Sequence, residues 1–159
     1  MEAMKTTRLI LAAILACAPL LGLTAEAMYP PVERAKADIE GALKDAAKSK
    51  KRVIVDFGGN WCTDCKILDI NMKKPENAAL LDRNFVVVHV NVGDKGISDN
   101  FDVAERFGVP LKKGVPALAV LESDGSVVYA QKNGEFESMR KLDPKSVQEF
   151  LERWRAPRS

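Results

Sequence analysis

Two cysteines separated by two residues, Cys62 and Cys65, are the side chains best suited to chemistry in this sequence. They follow an apolar run and a glycine pair, so the pattern predicts a buried strand, a sharp loop and a helix that opens on the first cysteine. A helix N-terminus carries unpaired N–H groups and about half a positive charge, which stabilises a thiolate on its first turn. Residues three apart share a helix face, so the pair can switch between dithiol and disulfide.

Two other interpretations of the cysteine pair are a permanent structural disulfide and half of a zinc site. A bridge across two residues adds little stability, because the entropic gain grows with the length of the closed loop. Zinc takes three or four protein ligands, and the only other cysteine and histidine in the chain are Cys17 and His89. Lys66 follows Cys65, where covalent haem attachment requires histidine. We therefore predict no metal and interpret the pair as redox-active.

The elements that must position these cysteines follow from hydrophobic periodicity and turn signals. The nearly unbroken apolar run at Val53–Phe57 is typical of a central strand that is buried on both faces. Asp124-Gly125 lies between two β-branched runs and predicts a hairpin. In chain order, the predicted elements are a helix over 32–48, a strand over 53–57, the cysteine helix, a helix over 77–83, a strand over 85–92, a helix over 98–107, strands over 116–122 and 126–131, and a final helix.

Two of the predicted helices carry further signals. The helix over 98–107 would turn Phe101, Ala104 and Phe107 inward. The final helix would be capped by Asp143-Pro144. Alternating helices and strands, followed by a hairpin and a helix, predict an α/β domain with a mixed sheet and helices on both faces.

The first 27 residues have the pattern of a cleavable signal peptide. Two basic residues precede an apolar run over 9–23, and Ala25-Glu26-Ala27 has small residues at the spacing of a cleavage site. The apolar run is shorter than the roughly 20 residues of a membrane span. We therefore predict cleavage after Ala27, one domain over residues 28–159, and a periplasmic or secreted location. The alternatives are an uncleaved anchor and a lipid anchor on Cys17.

Charge and size exclude other classes of function. The chain has 24 basic and 22 acidic residues and a net charge of +2, which indicates no strongly charged partner. The basic run at 48–52 contains no aromatic residue, so we interpret it as a solvated helix end and predict no nucleic-acid binding. One domain leaves no room for a dimerisation module, so we expect a monomer.

Over residues 53–155 the chain resembles the thioredoxin family, with an extra helix before that region. The resemblance rests on Trp61-Cys62-Thr63-Asp64-Cys65, on Asp56 six residues before Cys62, and on Gly114-Val115-Pro116 at the start of the third strand. It departs from the family at Gly58-Gly59, where bulkier residues are usual. The resemblance implies a thioredoxin-like α/β fold with a central mixed sheet of four strands, or five in the alternative, flanked by helices.

The resemblance also implies a role for each matching residue. Cys62 would be the exposed nucleophile that attacks a substrate disulfide, and Cys65 the resolving thiol that breaks the mixed disulfide. Pro116 would follow a cis peptide bond and, with Val115, present an edge to the substrate backbone beside the cysteines. Trp61 would cover the flank of the site. The redox-active pair itself would serve in place of any cofactor.

Asp56 interrupts the apolar pattern of its strand. A buried carboxylate without a full partner favours its protonated form, so Asp56 is a candidate acceptor for the proton of Cys65. In the family a lysine on the neighbouring strand lies near this acid, and here His89 falls at that place. An imidazole there could share the proton near neutral pH. The alternative is an ordinary hydrogen-bonded strand histidine.

The direction of electron flow follows less directly from the sequence. Asp64 puts a negative charge near Cys62, and no histidine lies between the cysteines to offset it, which disfavours the thiolate. This indicates a reductase of protein disulfides, and the resemblance implies a membrane thiol reductase as its electron donor. The alternatives are a disulfide oxidase or isomerase on the same fold, and a non-enzymatic metal carrier or assembly factor.

Overall fold

A computed structural model describes residues 27–157 of the chain. The strands are β1 (Arg52–Gly58), β2 (Phe85–Asn91), β3 (Ala117–Leu121) and β4 (Val127–Ala130). The helices are α1 (Ala35–Ser49), α2 (Thr63–Met72), α3 (Pro75–Asn84), α4 (Phe101–Arg106) and α5 (Ser146–Trp154). Short 3-10 turns span Val32–Arg34, Leu111–Lys113 and Met139–Lys141. The order of α-helices and strands is the one that the sequence predicts.

The described strands form one sheet in the order β2-β1-β3-β4. β1 runs parallel to β2 and antiparallel to β3, and β3 pairs antiparallel with β4. The prediction of a mixed four-stranded sheet flanked by helices is confirmed. β1 is a central strand and leads directly into the cysteine loop, so its position determines where that loop lies.

Helices cover both faces of the sheet, which explains why β1 is apolar on both sides. Val55 and Phe57 belong to the core layer that contains the buried side of α1, whereas Ile54 packs in the layer of Leu68 from α2. Burying one such side chain contributes about 1.5–3 kcal/mol. The strand is therefore fixed from two directions immediately before the cysteine loop.

α4 is shorter than the sequence predicts, and one residue of its predicted inward face is wrong. The helix begins only at Phe101, which is 44% exposed, while Val103 is buried in its place. The residue before it, Asn100, has a φ of +56° and donates through its side-chain amide to the carbonyl oxygens of Val32 and Asn91. These contacts hold the preceding backbone outside the helix and delay its start.

The cap predicted for α5 is also displaced. α5 begins at Ser146, whose N–H donates to the backbone oxygen of Asp143 at 2.9 Å. The Asp143 carboxylate instead accepts from the N–H of Lys145 at 2.8 Å. Asp143-Pro144 therefore forms a side-chain-closed turn that leads into the helix.

Except for its last residue, Ala27, the predicted signal peptide lies outside the described residues. Cleavage after Ala27, lipid attachment at Cys17 and the domain boundary therefore stay predictions. Among residues 27–157, no helix has the length and apolar character needed to cross a membrane.

Candidate active site

Cys62 and Cys65 are joined by a disulfide at the start of α2, with their Cα atoms 5.3 Å apart. Cys62 is the N-cap residue, with an extended backbone, and its sulfur accepts a hydrogen bond from the N–H of Cys65 at 3.1 Å. One of the unpaired N–H groups of the helix start therefore points at the sulfur of Cys62. The same donor would stabilise negative charge on that sulfur after reduction.

The two sulfurs differ in accessibility less than the sequence analysis expects. Cys65 is fully buried, and Cys62 is only 5% exposed, so its description as an exposed nucleophile is wrong for this disulfide form. The reason is local: Cys62 Sγ lies 3.7 Å from the carbonyl oxygen of Val115, which covers it from the side. Cys62 is nevertheless the outer sulfur of the pair.

The Val115–Pro116 peptide bond is cis and lies beside the disulfide. Gln131, at the end of the hairpin and 2% exposed, secures this loop. Its side-chain amide donates to the carbonyl oxygen of Pro116 at 3.1 Å, and its side-chain oxygen accepts from the N–H of Leu118 at 3.3 Å. The cis-proline loop is therefore held at a fixed position against the cysteines.

Trp61 lies on the solvent side of the cysteine loop and is 38% exposed. Its indole N–H donates to the carbonyl oxygen of Gly93 at 2.7 Å. A Cβ on Gly59 would stand 2.9 Å from the ring carbon Cε2 of Trp61, so glycine at this position lets the indole fold against the loop. Trp61 is thus a fixed surface next to Cys62 and not a core residue.

Asp56 lies on β1 in the buried interior, the inner side of the site, and is 1% exposed. It faces His89 across the parallel strands β1 and β2, and its Oδ2 atom is 2.9 Å from His89 Nδ1. The same oxygen accepts a hydrogen bond from the Tyr29 hydroxyl at 2.8 Å. The other oxygen, Oδ1, is buried and has no hydrogen-bond partner among the described residues. Asp56 and His89 are therefore brought together, as the family resemblance implies.

Burial and charge act in opposite directions on His89. Burial lowers the pKa of the imidazole, but the hydrogen bond to Asp56 and the negative charge of that carboxylate outweigh it. The net result is a pKa of His89 above its ordinary value. The protonated imidazole is therefore the form that Asp56 favours.

Asp64 has a partner that the sequence analysis did not anticipate. The residue is 8% exposed, and its carboxylate accepts from the backbone N–H of Arg140 at 3.1 Å. The Arg140 guanidinium adds two contacts, Nε to Oδ1 at 3.3 Å and Nη2 to Oδ2 at 3.1 Å. This bidentate pair offsets the negative charge of Asp64. The Asp64 carboxylate therefore disfavours the Cys62 thiolate less than the sequence predicts.

Sequence reasoning missed Tyr29 and Arg140, which lie 27 and 76 residues from the aspartates they contact. Neither belongs to a local motif. One indirect signal of Tyr29 was present, because Gly58 replaces a bulkier residue. A Cβ on Gly58 would collide with the Tyr29 hydroxyl and would stand 2.8 Å from Cys65 Sγ. The glycine therefore marks a place where other side chains need space.

Comparison with known proteins supports the same fold. A family model described as thioredoxin-like matches residues 34–123. The solved structure of a disulphide isomerase from Xylella fastidiosa is 32% identical, with a TM-score of 0.74, and the match covers 81% of this chain and 97% of that chain. A thioredoxin from Thermus thermophilus is 22% identical, with a TM-score of 0.50, and the match covers 79% of this chain and 83% of that chain. At this identity the likeness shows the fold alone.

A curated relative is the thiol:disulfide interchange protein DsbD of Pseudomonas fluorescens, 27% identical over 123 residues. The match covers 76% of this chain but 19% of that protein, so this chain spans about a fifth of the length of its relative. The family match extends over more than half of the sequence and includes both cysteines. Together with the identity to the Xylella protein over nearly its whole length, it shows that this chain belongs to the thioredoxin-like family.

Proposed function

We propose that this thiol:disulfide oxidoreductase reduces disulfide bonds of exported proteins in the periplasm through Cys62 and Cys65. The observation that carries the proposal is the placement of Cys62. Its sulfur caps a helix N-terminus, is bonded to a buried partner sulfur, and lies 3.7 Å from the carbonyl oxygen before the cis-proline. This arrangement supports a nucleophile, a resolving thiol and a docking edge within one small region.

The first step is attack on the substrate disulfide. With the pair reduced, the Cys62 thiolate attacks one substrate sulfur, forms a mixed disulfide, and displaces the other substrate sulfur as a thiolate that takes a proton from solvent. The N–H of Cys65 stabilises the attacking thiolate from the helix side. Attack requires Cys62 to become accessible, and it is the outer sulfur of the pair.

The second step is resolution by Cys65. Its thiol loses a proton, and the resulting thiolate attacks Cys62 Sγ, so that the Cys62–Cys65 disulfide forms and the second substrate sulfur leaves as a thiolate. Two electrons have then passed from the protein pair to the substrate. Because Cys65 is fully buried, its proton needs an acceptor within the protein, and we assign that role to Asp56, with His89 as its partner.

The substrate chain would lie along Val115 and Pro116, with Trp61 beside it. The loop is held by Gln131, so little ordering is needed when a substrate binds. The fixed indole of Trp61 gives an apolar surface next to the reacting sulfur. These contacts are sequence-tolerant, because backbone atoms and one aromatic face carry them.

The reducing direction is supported by the charge balance near Cys62. Strong oxidants of this fold stabilise the thiolate most, and the known range of potentials is about −270 to −120 mV. Here Asp64 and Arg140 compensate each other, and no further cation stands between the cysteines. The helix N-terminus alone then stabilises the thiolate, which favours a potential toward the reducing end.

The periplasmic location and the electron donor rest on the sequence pattern and on one relative. Residues 1–27 have the order of a signal peptide, and the Pseudomonas relative is named a thiol:disulfide interchange protein. A reductant in an oxidising compartment needs a supply of electrons, for which we propose a membrane thiol reductase. Its substrates would be exported proteins with exposed disulfides.

The proposal is tested by the reduction of insulin disulfides with the full chain, together with the equilibrium potential of the pair in glutathione buffers. We expect activity that Cys62→Ser abolishes and a potential below about −200 mV. A potential above about −150 mV would favour an oxidase instead. Equal activity of Cys62→Ser and wild type would point to a non-enzymatic assembly factor.

A disulfide isomerase is the second candidate, because the Xylella protein that shares 32% identity is described as one. An isomerase must release its substrate from the mixed disulfide after rearrangement, without net reduction. Refolding of a protein with scrambled disulfides separates the two functions. An isomerase rescues such a substrate catalytically in a balanced glutathione buffer, whereas a reductase consumes reducing equivalents.

A further inference from the structure

We propose that Tyr29 is a positioning residue of this active site, which acts through Asp56 on the proton transfer from Cys65. The inference rests on the dithiol exchange proposed above and extends the site beyond the two-cysteine loop. It places part of the site in the segment before α1, outside the residues that carry the family resemblance.

The segment around Tyr29 is fastened directly to the cysteine loop. The N–H of Tyr29 donates to Asn60 Oδ1 at 3.0 Å, and the side-chain amide of Asn60 donates to the carbonyl oxygen of Tyr29 at 2.8 Å. Asn60 precedes Cys62 by two residues. This reciprocal pair of hydrogen bonds couples the position of the Tyr29 backbone to the loop that carries the nucleophile.

The Tyr29 side chain extends from this point into the interior. It is 1% exposed, and its ring packs edge-on against the His89 imidazole with centroids 5.2 Å apart. Its hydroxyl and Cys65 Sγ both lie beside Gly58, because a Cβ added to that glycine would clash with both atoms. The hydroxyl therefore stands where the buried sulfur, the buried carboxylate and the imidazole meet.

Tyr29 determines which oxygen of Asp56 remains available. Oδ2 accepts from the Tyr29 hydroxyl and contacts His89, whereas Oδ1 has no partner among residues 27–157. Two contacts on one oxygen fix the rotation of the carboxylate and leave the other oxygen to accept the Cys65 proton. Burial, and then the negative charge of Asp56, raise the pKa of Tyr29 far above its ordinary value, so the hydroxyl always donates.

The proton balance of the step follows from these contacts. When the mixed disulfide is resolved, the Cys65 S–H bond breaks, its proton goes to Asp56 Oδ1, and the sulfur's electron pair forms the bond to Cys62 while the bond between Cys62 and the substrate sulfur breaks and that sulfur leaves as a thiolate. A hydrogen bond from Tyr29 is stronger to the charged carboxylate than to the protonated carboxyl. The hydroxyl therefore stabilises the form of Asp56 that can accept the proton.

Several ionisable groups surround this carboxylate. Tyr29 contacts it from the segment before α1 and His89 from β2, and Cys65 of α2 lies beside the same glycine, Gly58, as the Tyr29 hydroxyl. Two further charges act on these neighbours, Asp69 of α2 on both Tyr29 and His89, and Lys73 after α2 on His89. Only the hydroxyl among these is both uncharged and permanently a donor, so its removal changes the proton balance without changing the net charge.

The test is Tyr29→Phe, which keeps the ring and the backbone contacts to Asn60 and removes only the hydroxyl. The readout is the resolution phase when the reduced full chain reacts with oxidised glutathione, followed by stopped-flow fluorescence across pH. The acid limb is the part of the pH profile in which the rate of resolution falls as the pH is lowered. We expect its midpoint to move up by about one pH unit. Tyr129→Phe is the matched control, because Tyr129 packs on Phe150 and Trp154, and we expect no movement.

A second variant distinguishes action through Asp56 from a general loss of packing. In an Asp56→Asn background, Tyr29→Phe should no longer move the acid limb. An unmoved acid limb in the Tyr29→Phe protein, or a shift that persists in the Asp56→Asn background, would overturn the proposal.

The pH dependence of resolution can be measured whether the chain reduces or forms disulfides in proteins. A chain that fails to reduce insulin but shows the shifted limb would contradict the proposed reductase and leave the role of Tyr29 standing. A chain that reduces insulin but shows an unshifted limb in the Tyr29→Phe protein would support the reductase and contradict the role of Tyr29.

Discussion

Two aspartates flank the cysteine pair, and their surroundings differ in kind. Asp56, on the inner side, is 1% exposed and keeps one oxygen without a partner among the described residues. Asp64, on the outer side, is 8% exposed and pairs with an arginine through both oxygens. The same type of side chain is therefore suited to proton transfer at Asp56, whereas its charge is compensated at Asp64.

The difference teaches that nearness to a thiol does not define the role of a carboxylate. Asp64 is adjacent to Cys65 in sequence, yet its compensated charge leaves it little influence on either sulfur. Asp56 lies nine residues before Cys65, yet it is buried, and the Tyr29 hydroxyl and His89 both contact Oδ2 and leave Oδ1 without a partner among residues 27–157. The contrast predicts that changes on the inner side affect rates and their pH dependence, whereas those on the outer side affect the potential.

The strongest test of this contrast is Asp56→Asn, which preserves shape and removes the proton acceptor. We expect resolution by Cys65 to slow about a hundredfold, with the attack by Cys62 nearly unchanged, as measured by the two phases of the glutathione reaction. Asp64→Asn is the matched control and should leave resolution within about twofold. Equal rates for Asp56→Asn and wild type between about pH 5 and 8 would break the comparison.

The inner side should also be the less tolerant of added volume. Gly58→Ala places a methyl group against the Tyr29 hydroxyl and Cys65 Sγ, so we expect a loss of about 1–3 kcal/mol in the free energy of unfolding. Gly41→Ala is the control, because a Cβ there meets nothing within 4 Å inside α1, and it should gain about 0.5–1 kcal/mol. Urea denaturation measures both. Similar values for the two variants would contradict the packing described.

The outer side predicts opposite shifts of potential from its two partners. Arg140→Gln leaves the Asp64 charge uncompensated, disfavours the Cys62 thiolate and should make the potential more negative by about 10–20 mV. Asp64→Asn leaves the arginine uncompensated and should shift it by about the same amount in the other direction. The double variant should return close to wild type. Shifts of the same sign in both single variants would mean that the pair acts structurally.

The smallest expected effect concerns the pH dependence of stability. Because the pKa of His89 is raised in the folded state, its pairing with Asp56 stabilises the protein fully below about pH 6.5, the ordinary pKa of histidine. That contribution is lost as the pH rises through the folded-state pKa. His89→Gln should flatten the free energy of unfolding over this range, as measured by urea denaturation at several pH values. A slope equal to that of wild type would remove His89 from the proton balance.

The parts of the site that could be predicted from the sequence are those with a local signal or a counterpart in the family. The strand, loop and helix around Cys62 follow from an apolar run and a glycine pair. The nearness of Asp56 and His89 follows from the family resemblance, in which a basic residue on the neighbouring strand lies near this acid. Repeating patterns of this kind carry their own spatial meaning.

The contacts that escaped prediction depend on how distant segments pack. Arg140 reaches Asp64 from a 3-10 turn between β4 and α5, and no pattern in that turn indicates its direction. Asn100 shortens α4 through contacts with two other parts of the chain, which overrides the helical spacing of the apolar residues. Sequence periodicity predicts which face of an element is buried. It does not predict which polar side chain of a distant segment contacts that element.

The hydrogen-bonded attachment of Tyr29 to Asn60 has a practical consequence for how this domain is delimited. The thioredoxin-like match begins at residue 34, so a protein trimmed to that border would retain both sulfurs and the cis-proline while discarding the tyrosine. Any measurement of how acidity governs this site therefore needs a protein that begins before Tyr29.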